Sequence, residues 1–297
     1  MDERDRDWLA QRFEERRPRL QAIAYRMLGS LAEAEEAVQD AWLRLSRAGA
    51  EGVENLDGWL TTIVGRVCLN LLRARRLRAK EPAGVHLPDP LITREADHNP
   101  EQAALLADSV GLALLVVLDT LKPAERLSFV LHDMFDLSFE EIGPLVGRSP
   151  AAARQLASRA RRRVRGSAPP KPDPDLARQR EVVDAFFAAA HGGSFDALIA
   201  VLDPEVVVRS DGGSAQPQLT TVLRGSAAVA RRVLQFARPS ASLRPVLVNG
   251  AAGVVAMIDG RPFSVMSFTV VAGKIVEINA IADPERLRAL DLTILAQ

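Results

Sequence analysis

Apolar residues recur every three or four positions along the first 80 residues of the chain, which is the spacing of one helix face. They fall into three stretches, from Trp8 to Met27, from Leu31 to Leu45 and from Leu56 to Leu71. Gly29 separates the first two stretches, and a Gly-containing segment separates the second from the third. The pattern predicts three helices in a first domain, residues 1–80.

Proline marks the borders of a second helical domain. Residues 81–103 contain four prolines, and this density predicts an extended linker because proline fixes φ and removes a backbone donor. Helical spacing resumes at Glu101 and continues to Arg165, which predicts about four helices in residues 104–166. A second Pro-dense segment, residues 167–175, predicts a spacer before an independent C-terminal domain.

The hydrophobic period changes beyond residue 175. Two helical stretches, Leu176–His191 and Phe195–Val201, are followed by runs rich in Val, Ile and Thr, which predict strands. Turn signals occur at Asn249-Gly250 and Ala272-Gly273. Residues 176–297 are therefore predicted to form an α+β domain with an antiparallel sheet. The predicted strands are residues 205–209, 219–223, 243–248, 254–258, 263–271 and 274–281.

The overall charge is balanced. Lysine and arginine together number 38, as do aspartate and glutamate, so the formal net charge is zero. This balance excludes a uniformly basic nucleic-acid coat, and charge must act through local clusters. The N-terminal sequence is charged where a signal peptide is apolar, and no run of about 18 apolar residues occurs. We expect a cytoplasmic protein that does not enter a membrane.

The sequence offers little for metal or redox chemistry. Cys68 is the only cysteine, and it lies in an apolar helical run where a small core residue is expected more often than a nucleophile. The four histidines are too far apart in the sequence for local metal-ligand spacing. We expect no cofactor and no metal site.

Residues 138–165 carry the sharpest local signal. Ser138 and Glu141 have the spacing of a capping box at the start of a helix. Gly147 suits a left-handed residue that ends this helix, and Ser149 is a fitting N-cap for the next one. Two short helices joined by a tight turn form a helix-turn-helix, whose second helix enters the major groove of DNA.

The second of these helices is strongly basic. Seven arginines and no acidic residue lie between Arg148 and Arg165. Alanines can pack inward along one face, which turns a polar and basic face outward. Neutralising DNA phosphates is the most direct use for such a face, and a solvated surface helix is the alternative. The outward residues are Arg154, Gln155, Ser158, Arg159 and Arg162.

The first domain carries two further charged surfaces. Its third helix ends in a basic block, from Arg66 to Lys80. These side chains either bind DNA or offset the partial negative charge at the helix C-terminus. Its second helix carries an acidic face, which suits a basic protein surface better than DNA. An ordinary solvated acidic face is the alternative. The residues of this face are Glu35, Glu36, Gln39 and Asp40.

Three segments in register over residues 5–165 resemble the extracytoplasmic-function (ECF) sigma factors. Residues 25–44 resemble that family's helix that grips the clamp helices of core RNA polymerase. Residues 59–76 resemble its helix that reads the minus-ten promoter element, and the helix-turn-helix resembles its minus-thirty-five reader. The resemblance implies core RNA polymerase and promoter DNA as partners. It implies polymerase contacts from Glu36, Gln39, Asp40 and Arg44. It implies DNA contacts from Asn55, Arg66, Arg73 and Arg76, and from the outward face of the helix-turn-helix. Trp59 follows a loop and opens the basic helix, where it either stacks on melted single-stranded DNA or, as is more common, anchors the core.

The C-terminal part resembles the SnoaL-like cone fold of one subgroup of these sigma factors. The fold class expected is multidomain, with two all-α sigma domains, the second with the helix-turn-helix, followed by an α+β SnoaL-like cone domain. In that subgroup the cone domain docks on the linker side, which implies regulation in cis. Three motifs of the subgroup occur in altered form, in the linker, after residue 210 and after residue 282. The contact residues implied are Leu87, Pro88, Asp89, Pro90, Asp211, Gly212, Gly213, Asp283 and Pro284.

A competing function is a small-ligand-binding cone protein, or an enzyme, fused to a conventional dimeric DNA-binding regulator. Cone domains often enclose an apolar pocket, so the sequence leaves an unidentified small ligand open. Acid–base catalysis needs paired titratable groups. Residues 176–297 hold one histidine, His191, at a predicted helix end, while Asp211 and Asp259 fall in or beside turns. We therefore expect a sigma factor and no enzyme.

Overall fold

The computed structural model describes residues 3–48, 55–78, 85–94, 111–167, 172–237, 241–290 and 292. Lys80, the helical start predicted at Glu101 and much of the predicted linker lie outside these residues. The described chain divides into two compact units. The described residues of the helical unit are 3–48, 55–78 and 115–167. The C-terminal unit consists of residues 85–94, 111–114 and 172–292.

Helices build the helical unit. The one long helix expected between Trp8 and Met27 is two helices, because Pro18 starts a new helix within its first two positions. Gly29 ends the second of them with a φ of 68°, as its position in the sequence predicted. The helices are α1 (Glu3–Glu14), α2 (Arg17–Leu28), α3 (Leu31–Ala48), α4 (Leu56–Arg78), α5 (Leu112–Asp119, whose last five residues belong to this unit), α6 (Pro123–Phe129), α7 (Phe139–Val146) and α8 (Pro150–Ser167).

The predicted turn signals of the helix-turn-helix are confirmed. The Ser138 hydroxyl accepts a hydrogen bond from the Glu141 amide, and the Glu141 carboxylate accepts one from the Ser138 amide at 3.0 Å. Gly147 ends α7 in the left-handed region with a φ of 67°. The Ser149 hydroxyl accepts from the Ala152 amide, so it caps α8, and Pro150 is the first residue of that helix.

Helices from both halves of the helical unit pack together. Gly65 of α4 faces Leu127, Leu131 and Leu145, and a Cβ atom there would lie 3.5 Å from a methyl carbon of Leu127. The guanidinium of Arg126 is buried beside this contact, where it donates to the Arg26 carbonyl at 3.1 Å and pairs with Asp119 at 2.7 Å. Burial lowers the pKa of Arg126.

One seven-stranded sheet and its helices form the C-terminal unit, so the predicted α+β class is confirmed. The sheet order is β1-β4-β5-β6-β7-β2-β3. The strands are β1 (Ile92–Thr93), β2 (Leu202–Asp211), β3 (Thr221–Arg224), β4 (Ser242–Val248), β5 (Ala251–Ile258), β6 (Arg261–Val271) and β7 (Lys274–Ile281). The helices are α9 (Leu176–His191), α10 (Phe195–Val201), α11 (Ser226–Phe236) and α12 (Pro284–Ala289).

This unit departs from the sequence prediction at several places, among them strand β1 and helix α12, which were not predicted. The sheet is mixed, because β2 pairs in parallel with β7. Helix α11 was not predicted, although Val229 and Ala230 bury one face of it. A third hairpin turn, with positive φ at Asp259 and Gly260, joins the predicted turns at residues 249–250 and 272–273.

Candidate nucleic-acid interface and linker site

Helix α8 presents the predicted face to solvent. Ala153, Ala157 and Ala160 are fully buried against the rest of the helical unit. This packing fixes the rotation of the helix, so the polar residues between the alanines point outward. The five residues of the predicted DNA-reading face, all exposed, are Arg154, Gln155, Ser158, Arg159 and Arg162.

The arginines of α8 differ in what they contact. Arg161 pairs with Asp133 at 2.9 Å, and Arg163 donates to the Thr120 carbonyl. The guanidinium of Arg154 lies over the ring of Phe139. Within the described part of the chain, Arg159 and Arg162 form no ion pair. Their charges are therefore available to phosphates or base edges.

The predicted minus-ten surface on α4 is only partly free. Asn55 accepts a hydrogen bond from the Gly58 amide at 2.9 Å, so it also serves as the N-cap of this helix. Trp59 is half-buried, whereas Arg66 and Arg73 are exposed. The guanidinium of Arg76 donates to the Leu121 carbonyl at 3.0 Å, so this arginine is engaged within the helical unit.

The acidic face of α3 is narrower than predicted. Glu35 turns toward α2, where it pairs with Arg17 at 2.6 Å and accepts from Gln21 at 2.5 Å. Glu36 and Gln39 are exposed. Asp40 pairs with Arg44 at 3.0 Å one turn further along. The family resemblance implies polymerase contacts from Glu36, Gln39, Asp40 and Arg44. It implies none from Glu35.

An apolar side chain lies within this acidic face. Leu43 is 47% exposed, and it stands three residues after Asp40 and four after Gln39, so the three share one side of the helix. Sequence reasoning did not select Leu43, although its helical spacing was the available signal. Single exposed apolar residues are common on protein surfaces, so Leu43 indicates a contact only together with the polar groups beside it.

The linker is held by two side chains of the C-terminal unit. Asp211 is buried, and its Oδ2 accepts from the Leu87 amide at 3.3 Å and from Arg286 at 2.6 Å. Arg286 also donates to the Leu87 carbonyl at 2.6 Å and to Asp89 at 2.8 Å. We call these four residues, Leu87, Asp89, Asp211 and Arg286, the linker clasp. His86 Nδ1 lies 3.7 Å from Asp211.

Two glycines after Asp211 allow the clasp to close. A Cβ atom at Gly212 would lie 2.1 Å from the Gln216 carbonyl oxygen, and one at Gly213 would lie 2.2 Å from Asp283 Oδ2. Gly213 also has a φ of 60°. Asp283 is thus free to cap α12, the helix that carries Arg286. The structure therefore brings together the motifs after residues 210 and 282 that the sequence analysis singled out.

The next linker residues join the sheet. Ile92 pairs with Val248 and Thr93 with Leu247, so β1 extends the sheet beyond β4. The Leu91 amide donates to Asn249 Oδ1 at 3.2 Å, and the Asn249 amide donates to the Leu91 carbonyl at 2.8 Å. Leu87, Pro88 and Pro90 are buried within this arrangement. The apolar linker residues are therefore covered by the C-terminal unit.

The comparisons with known proteins identify the family of the chain. Residues 12–78 match the family model of Sigma-70 region 2, and residues 111–164 match that of Sigma-70 region 4. Over 289 residues the chain is 36% identical to the ECF RNA polymerase sigma factor SigJ of Mycobacterium tuberculosis, an alignment that covers 92% of this chain and 91% of SigJ. The chain belongs to the ECF RNA polymerase sigma factor family. It is also 34% identical to the probable ECF RNA polymerase sigma factor SigI of the same organism, over 90% of this chain and 91% of SigI.

A solved structure extends the likeness of this sigma factor to its whole fold. The crystal structure of Mycobacterium tuberculosis SigJ matches it with a TM-score of 0.76 at 34% identity, and covers 95% of this chain and 99% of that chain. The competing interpretation as a conventional dimeric regulator is set aside, because the similarity to sigma factors extends over both regions and the C-terminal unit.

Two residues that hold the linker of this sigma factor were not selected from the sequence. Arg286 lies in the motif at residues 283–287. The sequence around it does not indicate that it binds residues near position 87 or Asp211. Asn249 was assigned only a turn role, yet it also binds Leu91. No group of three or more His, Cys, Asp or Glu that could hold a metal ion occurs among the described residues. Over the same residues, no helix is long and apolar enough to cross a membrane.

Proposed function

We propose that this sigma factor directs promoter-specific transcription initiation by core RNA polymerase, and that its C-terminal domain regulates it in cis through the linker clasp. The observation that carries the proposal is the contact of Arg286 with Leu87, Asp89 and Asp211. Along the chain, the clasped linker lies between the helix proposed to read the minus-ten element and the helix-turn-helix proposed to read the minus-thirty-five element.

Holding the linker limits how far the two promoter-reading regions can separate. An extended residue spans at most about 3.3–3.6 Å, so residues that are fixed to the C-terminal unit cannot contribute freely to this span. Both promoter elements are engaged only in conformations that the clasp permits. The regulation is then a shift between populations, limited by the free energy of the clasp.

The surface of α3 supports core RNA polymerase as the protein partner. Glu36, Gln39 and Asp40 offer acidic and polar groups around exposed Leu43, a combination that suits a basic protein surface with an apolar patch. Arg159 and Arg162 of α8, which form no ion pair with the described residues, support promoter DNA as the second partner. We place the protein in the cytoplasm, together with its polymerase.

We also propose that the C-terminal domain is not an enzyme. Its cavity has no Asp or Glu among the described residues that line it, and its titratable lining residues are His191 and Arg232. A general acid and base with tuned pKa values are therefore lacking. The buried pair of Glu277 with Arg209, at 2.7 Å, lies on the other face of the sheet, because Ile278 and Ala280 line the cavity.

Co-purification with core RNA polymerase, followed by run-off transcription, tests this function. The full chain is mixed with core polymerase, and the reconstituted enzyme is used on genomic fragments selected by binding. We expect transcripts with defined start sites that require the full chain. Stable capture of core polymerase without any directed transcript would contradict promoter-specific initiation.

A further inference from the structure

The C-terminal unit contains an apolar cavity, partly open to solvent, that the proposed function does not use. Its volume is about 210 Å³, and it lies between helices α9 and α11 and the sheet. Phe186, Phe187, Phe236 and Phe263 contribute to its wall. This volume exceeds the roughly 150 Å³ of an engineered apolar cavity that binds benzene.

Small side chains on the sheet create the space. Ala256 of β5, Ala280 of β7 and Ala282 just beyond β7 line the cavity. Neighbouring positions on the same strands carry Val254 and Ile278, which belong to the packed core. Protein interiors are normally filled to the density of organic crystals. A cluster of alanines where larger residues would fill the volume is typical of a binding cavity.

Three hydroxyls line the cavity, those of Ser210, Thr221 and Ser264, and Ser264 is the most buried of the three residues. Ser264 is only 6% exposed and lines the cavity. Its hydroxyl forms no hydrogen bond with any other residue that the structure describes. Because Ser264 lines the cavity, its hydroxyl can form a hydrogen bond with one donor or acceptor of a bound molecule. Ser264, as the most buried of the three, is the proposed polar anchor of the cavity.

The charges of the wall do not favour an ionic occupant. Its described lining contains no carboxylate. The guanidinium of Arg232 is already engaged, because it donates to the Gln218 carbonyl at 2.6 Å and lies 3.7 Å from the centre of the Phe236 ring. His191 is exposed at the end of α9. An uncharged, mostly apolar molecule suits this wall.

We infer that the cavity binds a neutral apolar small molecule, larger than benzene and with one hydrogen-bonding group, and that its occupancy changes the hold on the linker. Cavity and linker are coupled because residues at the ends of β2 and β7 contact both. Ser210 lines the cavity and the next residue, Asp211, holds the linker. Ala282 also lines it, and its amide donates to the Asp211 carbonyl at 2.7 Å. The coupling rests on the proposed regulation by the linker clasp, whereas ligand binding does not.

Calorimetric titration of the full chain tests the cavity. The probes are 2-naphthol and 2-methylnaphthalene, which have similar shapes and differ in one hydroxyl. We expect both to bind. In Ser264→Ala, the affinity for 2-naphthol should fall about fivefold relative to the affinity for 2-methylnaphthalene, because one hydrogen bond is lost. Ala280→Leu should abolish binding of both, whereas Ala227→Leu, an equal enlargement at an exposed position of α11, should not.

Hydrogen exchange with and without saturating 2-naphthol tests the coupling separately. We expect the exchange of residues 86–92 to change at least about twofold in the wild type and not in Ala280→Leu. If neither probe binds up to its solubility limit, or if Ala280→Leu binds like the wild type, the cavity is not a ligand site. An unchanged probe ratio in Ser264→Ala contradicts the polar anchor. Binding without any change in linker exchange contradicts the coupling and leaves the proposed function standing.

Discussion

Single residues decide whether the linker clasp can form. Gly213 lies where a Cβ atom would meet the Asp283 carboxylate at 2.2 Å, so the approach of Asp283 depends on the absence of a side chain. Asp283 in turn caps the helix that carries Arg286. A glycine motif that resembles a loop signal in the sequence is therefore a packing requirement between two segments about 70 residues apart.

Gly213→Ala should destabilise the protein more than Gly260→Ala does. Both glycines have positive φ, but a Cβ atom at Gly260 meets nothing within 4 Å. The control should lose about 1–2 kcal/mol from left-handed strain alone. Gly213→Ala should lose about 1–3 kcal/mol more from the clash. Urea unfolding of both variants measures the difference, and equal losses would contradict the close approach.

Cys68 should be unreactive in the folded protein. It is fully buried in α4, and burial raises the pKa of its thiol to about 12. At pH 8 such a thiol is about a thousandfold less ionised than one with the ordinary value of 9.0. Because it is the only cysteine, the rate of labelling by dithionitrobenzoate measures it directly. Labelling at the rate of the urea-unfolded chain would contradict its burial.

The sequence predicted some residue roles and missed others for a physical reason. The capping box of Ser138 and Glu141 depends on neighbours three residues apart, so local spacing was sufficient. Arg286 binds Leu87 across 199 residues, and no local pattern encodes such a pairing. Asp211 was expected both in a turn and, through the family resemblance, near the linker, and it bonds the Gly213 amide with one oxygen and the Leu87 amide with the other.

At the scale of elements, some arginines of α8 form bonds with other residues of the helical unit, and others are exposed to solvent. Arg159→Ala should weaken promoter binding, because this side chain is exposed and unpaired within the described chain. A base contact would cost about 1–3 kcal/mol at one promoter position, and a phosphate contact would reduce the salt slope by about 1. Binding is measured by fluorescence anisotropy at several salt concentrations.

Arg161→Ala is the matched control, since it removes the same charge from the same helix. Arg161 pairs with Asp133, and this contact raises the pKa of its guanidinium. We expect a smaller effect on DNA affinity than that of Arg159→Ala. Equal affinities and salt slopes for Arg159→Ala and the wild type would contradict the assignment of this face.

Helix α3 should lose core polymerase when its acidic face is reversed. Asp40→Arg places two arginines one turn apart and repels a basic partner. Adding Arg44→Asp restores an ion pair in reversed order, so the double variant should keep the helix but still bind poorly. Asp7→Arg makes the same change in net charge on α1. Pull-down of core polymerase with circular dichroism tests this, and capture of Asp40→Arg at the wild-type level contradicts the assignment.

Element prediction succeeded where the signal was local. The bounds of α9 and α10 match the predicted helices to the residue. Helix α11 was missed although its buried Val229 and Ala230 are followed by Val233 at helical spacing, because it is a short segment between strands. The parallel pairing of β2 with β7 joins strands more than 60 residues apart, and strand hydrophobicity does not specify its partner.

At the scale of the whole molecule, the linker was predicted to stand between domains, and its described residues 85–94 form part of the C-terminal unit. The predicted promoter-reading helices α4 and α8 lie together in the helical unit. Buried Arg126 lies beside the packing of α4 against α6 and α7, and it pairs with Asp119 and donates to the Arg26 carbonyl. A buried ion pair of this kind adds little net stability.

Hydrogen exchange of the linker amides measures most directly how firmly the C-terminal domain holds the linker. In the wild type, the Leu87 amide should exchange slowly because it donates to Asp211. Arg286→Gln should speed this exchange at least about tenfold, because three contacts of the clasp are lost. Arg288→Gln, which changes an exposed arginine of the same helix, should leave it unchanged. Equal exchange of Leu87 in all three proteins would contradict regulation through the clasp.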